Sequence, residues 1–93
     1  LFRSGIGAAC VNMSRLYLTG RFVPKDPSTA FKLNEKACSF KDMHGCANAA
    51  QFIEKGVGTA WDLKRANEYY AAACRFGHPK SCARIEAEKG AAK

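Results

Sequence analysis

Apolar residues along this chain recur at helical spacing, and the pattern stops and restarts at regular points. In "AACVNMSRLYLTG", residues Ala9, Met13, Leu16 and Tyr17 fall on one helical face that ends at Gly20, a residue that takes the left-handed C-terminal position at little steric cost. "CANAAQFIEKG" does the same with Ala49, Phe52, Ile53 and Gly56. Asp26 followed by Pro27 is an N-cap with proline at the first helical position, and Asp62 before Leu63 is its counterpart. Helix continues from these caps through "STAFKLNEKAC" and "LKRANEYYAAAC", and Pro79 in "GHPKSCARIEAEK" opens one more. The pattern predicts five helices, near 5–19, 27–39, 44–55, 62–76 and 79–89.

Moving the chain by 36 positions lays it on itself. Cys10, Cys46 and Cys82 share one register, and Cys38 and Cys74 share another. Asn12 meets Asn48, Gly20 meets Gly56, Asp26 meets Asp62, Ala30 meets Ala66, Ala37 meets Ala73, and Phe40 meets Phe76. A period of this length marks stacked helix pairs, units that bury their apolar faces only against one another. The expected fold is therefore all-α: an α-solenoid of antiparallel helix pairs, one domain over 1–93, with units near 5–40, 41–76 and a partial 77–93. Ala30, Ala37, Ala66 and Ala73 are expected where helices approach closely, with Phe31, Leu33, Tyr69 and Tyr70 filling the remaining volume. Leu1 falls inside a repeat, so further chain or a bound partner is expected over the N-terminal end of the stack.

The repeat gives the cysteines a meaning that their spacing alone does not. Cys-x7-Cys is too wide for the usual zinc pair and is not a Cys-x-x-Cys redox motif. One cysteine of each pair closes a second-arm helix and the other begins the next first-arm helix. Bridges Cys38–Cys46 and Cys74–Cys82 would clamp the turns between successive units. Position 2, where a partner for Cys10 would stand, is Phe2. Cys10 either bonds elsewhere or is a buried free thiol, and the free thiol is the reading adopted. Five cysteines in 93 residues fit an oxidising compartment better than a reducing one.

Charge adds a direction. The formal net charge is +7, and residues 1–41 carry +5 of it. Arg15, Arg21, Lys25, Lys32 and Lys36 lie on both arms of the first unit. Most of such a face is solvated by default; as a docking surface it would take an acidic protein or an anionic lipid. Arg15, Arg21, Lys25 and Lys32, with Trp61 as an aromatic anchor, are the candidate partner-binding residues. No nucleic-acid module accompanies the charge, so nucleic acid is not an expected partner. No basic segment followed by a long apolar run opens the chain, so neither a signal peptide nor a membrane-spanning segment is read.

Catalysis finds no footing. None of Ser4, Ser14, Ser28, Ser39 or Ser81 is followed by lysine in a Ser-x-x-Lys motif, and no Cys–His or carboxylate constellation emerges. His44 and His78 lie in the two clamped turns, in different repeats and out of equivalent register, and are read as exposed turn residues. No catalytic residue, metal site or cofactor is expected.

"LYLTGRFVPKDPSTAFKLNEKAC" and "FIEKGVGTAWDLKRANEYYAAAC" resemble Sel1-like repeats, relatives of the tetratricopeptide repeat. The marks are the glycine-containing loops (Gly20; Gly56 and Gly58), Asp26 and Asp62, the alanines four residues on (Ala30, Ala66), and the closing Ala-Cys. Ala60 and Trp61 stand where these repeats more often carry a charged residue. Within the cysteine-bearing branch, "GCANAA" and the plain loop "FVPKDPS" are similar to the Sel1-like assembly factors of mitochondrial cytochrome c oxidase. The Cys-x7-Cys framework is shared with secreted bacterial cysteine-rich repeat proteins. The first resemblance implies a non-catalytic scaffold in the mitochondrial intermembrane space, bound to a respiratory-chain subunit. It also raises haem handling, for which His44 and His78 would be the ligand candidates. The second implies a secreted or periplasmic protein that binds host or cell-wall ligands.

Overall fold

A computed structural model describes residues 2–91, with side chains described from 5 to 88. Five helices follow one another: α1 Phe2–Thr19, α2 Pro27–Ser39, α3 Met43–Lys55, α4 Leu63–Arg75 and α5 Pro79–Ala91. Local chemistry explains the starts of α2, α3 and α4. The Asp26 carboxylate accepts from the Thr29 N–H at 3.2 Å and from its hydroxyl at 2.6 Å, and Pro27 occupies the first turn. Asp62 accepts from the Arg65 N–H at 3.1 Å. Asp42, a cap that the apolar pattern did not single out, accepts from the N–H groups of His44 and Gly45 at 2.9 and 3.0 Å. Each bond satisfies a first-turn donor that the helix itself leaves open.

The 36-residue repeat is visible in the backbone. The loops 20–26 and 56–62 are closed by equivalent bonds, the Asp26 N–H to the Tyr17 carbonyl at 2.8 Å and the Asp62 N–H to the Ile53 carbonyl at 3.4 Å. The turns at the other end are closed by Asp42 N–H to Ala37 and His78 N–H to Ala73, at 3.1 and 2.9 Å. Each helix packs on its neighbours in sequence, and α1 also touches α3. Ala30, Ala37, Ala66 and Ala73 are fully buried, as their small size at helix crossings requires. Around Ala30, Ala49 and Ala66 lie Phe31, Phe52 and Ile53, with the Phe31 and Phe52 rings edge to face at 6.2 Å. Helices α2 and α3 approach closely: a Cβ added at Gly45 would stand 2.5 Å from that of Ala37.

Both bridges are present, Cys38–Cys46 with Cα atoms 4.5 Å apart and Cys74–Cys82 at 4.7 Å, and they join α2 to α3 and α4 to α5. Cys10 is buried and unbridged among the described residues; it packs with Val11 and Ala37. The Phe2 side chain lies outside the described residues.

The buried face of α1 differs from the expected one. Cys10, Val11 and Ser14 point inward, while Ala9 and Met13 are exposed. Their counterparts in α3, Gly45 and Ala49, are buried, and Gly45 sits directly under α2 of the unit before it. Among the described residues no second-arm helix lies over this face of α1.

Candidate interaction groove

Between α1 and α3 runs a groove of about 410 Å³, bordered by Arg15 and Leu18 on one side and Asn48, Gln51 and Lys55 on the other, with Asn34 of α2 at its floor. A smaller depression of about 220 Å³ continues it toward Asp42 and His44, sharing Arg15 and Asn48. The two make one track along the first-arm helices.

The repeat explains why the track is open here. Leu18, Asn34 and Asn48 are one set in the 36-residue register; the next unit has Glu54, Tyr70 and Arg84 at those positions. There the set closes on itself. The Tyr70 hydroxyl donates to Glu54 at 3.0 Å, Arg84 pairs with the same carboxylate, and the Arg84 guanidinium lies 4.3 Å over the Tyr70 ring. In the first unit the shorter Asn34 is buried at 1 % exposure, with its amide donating to the Ala30 carbonyl at 3.0 Å. Asn48 donates to its side-chain oxygen at 3.2 Å, and Leu18 is left partly exposed. Side chains that fill the volume in one unit are replaced by shorter ones in the other. The resulting groove has an amide floor, two cations on its rim and an apolar shoulder.

A second polar tie binds the units. Glu35 of α2 accepts from Arg65 at 2.6 Å and from the Tyr69 hydroxyl at 2.7 Å, both on α4. Burial, then the neighbouring carboxylates, pushes the phenols of Tyr69 and Tyr70 up to about 12. Both hydroxyls therefore remain donors at neutral pH.

The candidate partner-binding residues are not one cluster. Arg15 lines the groove. Arg21 stacks over Phe22 in the loop 20–26, Lys25 is in the same loop, and Trp61 stands exposed in the loop 56–62. Lys32 lies on α2 outside the groove. Lys55, Gln51 and Asn48 are not among those candidates, although they line the groove. The signal that would have found them is the mismatch between units at Leu18, Asn34 and Asn48.

His44 is exposed, as expected, whereas His78 is only partly so. His44 and His78, though out of register, meet edge to face with ring centroids 5.7 Å apart. His78 stands where Asp42 stands one unit earlier, as the cap of α5: its Nδ1 accepts from the Ser81 N–H at 3.2 Å. The rings touch, with no room for a porphyrin between them, and the Nδ1 of His78 is already engaged. The pair therefore does not fit a haem sandwiched between its rings. No group of three histidine, cysteine or carboxylate side chains suited to a metal occurs among the described residues.

Burial first, then His44 and Lys80, hold the His78 pKa below its usual 6.5. The unfolded chain thus takes up this proton before the folded one, so the associated stability is complete above pH 6.5 and is lost as pH falls through the folded value. Urea midpoints are expected to drop over that window. His78→Asp, which restores the cap residue of α3, should move the drop down to the carboxylate range.

Comparison with known proteins places this geometry. The model of the family described as Sel1 repeat matches residues 7–39 and 44–78. Cytochrome c oxidase assembly factor 7 of Xenopus tropicalis is 43 % identical over 60 residues, 63 % of this chain and 26 % of the frog protein. Cytochrome c oxidase assembly factor 7 homolog of Drosophila melanogaster is 38 % identical over 47 residues, 50 % of this chain and 18 % of the fly protein. The chain thus spans about a quarter or less of the length of these curated relatives. Among solved structures, a Sel1 repeat protein from Oxalobacter formigenes superposes with a TM-score of 0.81 at 29 % identity, over 88 % of this chain and 62 % of that one. Helicobacter pylori cysteine rich protein B gives 0.81 at 30 %, over 83 % and 58 %. With two matched repeats, the same solenoid architecture and a disulfide clamp at each inter-repeat turn, the chain belongs to the Sel1 repeat family.

Proposed function

We propose that this chain is a non-catalytic protein-interaction module that helps assemble a respiratory-chain complex, cytochrome c oxidase foremost, in the mitochondrial intermembrane space. Its groove would hold an extended segment of the partner, with Arg15 and Lys55 against carboxylates and Asn48 and Gln51 against backbone groups. The observation that carries this reading is the opening at Leu18, Asn34 and Asn48, in a fold that closes the same positions one unit later. Two supports come from outside the groove. The sequence relatives are oxidase assembly factors, and two disulfides suit an oxidising space. The bacterial secreted reading has less support, because the curated relatives matched by sequence are oxidase assembly factors.

The test transplants the closed set. A chain carrying Leu18→Glu, Asn34→Tyr and Asn48→Arg is expected to keep its helical signal while affinity capture from mitochondria loses the oxidase subunits recovered by the unaltered chain. Undiminished recovery with the groove filled would reject the groove. Failure to recover any respiratory component with the unaltered chain would reject the assembly role.

A further inference from the structure

The loops that join the two arms of each unit lie side by side at one end of the stack. Gly58 in the second loop meets the start of α2 so closely that an added Cβ would stand 2.3 Å from the Pro27 carbonyl oxygen. On or beside these loops are Phe22 at 86 % exposure, Trp61 at 65 %, Leu63 and Val57. The turns at the opposite end, 40–42 and 76–78, contribute none of the exposed large apolar side chains among the described residues.

Phe22 is not required by the fold. Its register counterpart is Gly58; both have positive φ, 69° and 74°, a conformation that a bulky side chain rarely adopts. The glycine is needed because it lies against Pro27. Phe22 occupies the same strained backbone and buries nothing in return. Strain held at an exposed aromatic points to a role outside the folded core.

Cations outnumber carboxylates on this edge. Arg21, Lys25, Lys55 and Lys64 flank the aromatics, and none is ion-paired among the described residues. The carboxylates of the two loops, Asp26 and Asp62, are engaged as caps by the N–H groups of their own helices. Aromatic rings project beside cations along an edge. This arrangement suits a soft planar phase, in which Phe and Trp enter the interfacial layer while lysine and arginine reach the phosphates.

We propose that the edge formed by loops 20–26 and 56–62 docks on an anionic lipid bilayer, placing Phe22 and Trp61 in its interface and Arg21, Lys25 and Lys64 on lipid phosphates. The docking is peripheral: no helix among the described residues is long and apolar enough to cross a membrane. It is independent of what occupies the groove.

Trp61 is the only tryptophan of the chain and reports its own burial. The 93-residue chain is mixed at low salt with vesicles of equimolar phosphatidylcholine and phosphatidylglycerol, and separately with phosphatidylcholine alone. The expected result is a blue shift of Trp61 emission and co-flotation with the anionic vesicles only, both reversed by added salt. Phe22→Gly should lower partitioning by about tenfold without lowering the melting temperature, since it removes the aromatic and relieves the backbone. Lys64→Glu should lower it by about tenfold or more, while the charge-matched Lys80→Glu at the far end leaves it within about twofold. Three results would each overturn the proposal: no emission shift on anionic vesicles, unchanged partitioning of Phe22→Gly, or equal losses for Lys64→Glu and Lys80→Glu. The first would leave an acidic protein surface as the occupant of this edge.

Discussion

Eliminating both bridges, with Cys38→Ser and Cys74→Ser, is expected to lower the stability of this chain by about 5 kcal/mol, a third or more of what a domain of ordinary stability possesses. Each bridge closes a loop of sequence separation 8, and the loss of unfolded-chain entropy over so short a loop is worth roughly 2.5 kcal/mol. The two losses should not look alike. Cys38–Cys46 fastens α2 to α3 in the middle of the stack, where both helices contribute to the central core, so its loss should weaken the whole transition. Cys74–Cys82 fastens α5, which packs chiefly on α4, so Cys74→Ser should release that helix first. Circular dichroism during urea titration would then show an early loss of about one helix in five for Cys74→Ser and a single earlier transition for Cys38→Ser. Intact mass should rise by about 4 Da on reduction, with peptide mapping pairing Cys38 to Cys46 and Cys74 to Cys82. A reductant that leaves the urea midpoint unmoved would show that the clamps contribute nothing.

Gly58→Ala is expected to destabilise by about 2–4 kcal/mol, whereas a substitution at its register counterpart, Phe22→Gly, should leave stability equal or slightly higher. Two effects add at Gly58. Its φ of +74° disfavours any Cβ, and the added atom would stand 2.3 Å from the Pro27 carbonyl oxygen and 3.1 Å from the Ser28 nitrogen. Those are backbone atoms at the start of α2 and cannot swing aside as a flexible side chain would. The loop must therefore lift off α2, and inter-repeat contacts go with it. At Phe22 the same positive φ is already strained, so glycine relieves it, offset by the greater freedom of the unfolded chain and the loss of the Arg21 stack over the ring. Thermal melts of the two variants should therefore move in different directions or by clearly different amounts. Equal losses would mean that Phe22 packs in solution against something that supports it.

The five helices, their caps at Asp26 and Asp62, the 36-residue period and the pairing of cysteines were all legible along the chain. These properties depend on short-range chemistry: a carboxylate three residues from an open N–H, an apolar face at helical spacing, two thiols a fixed distance apart across one turn. Repetition carried them into three dimensions, because similar units stack by similar contacts.

What repetition hides are the departures from it. Ala9 and Met13 share a register with Gly45 and Ala49, and on periodicity alone they belong to a buried face; only the absence of a second-arm helix over that side of α1, among the described residues, exposes them. His44 and His78 do not correspond in register, yet successive turns stack and bring their rings together. The groove follows the same logic. Leu18, Asn34 and Asn48 come from three different helices, and nothing in their local sequence says that they meet, or that Glu54, Tyr70 and Arg84 close the same space in the next unit. By itself the sequence determined the helices, the repeat and the clamps, because each is decided within one turn or one loop. The open volume was decided by tertiary structure alone, because a cavity is the difference between side chains distant in sequence whose sizes matter only once the helices have packed.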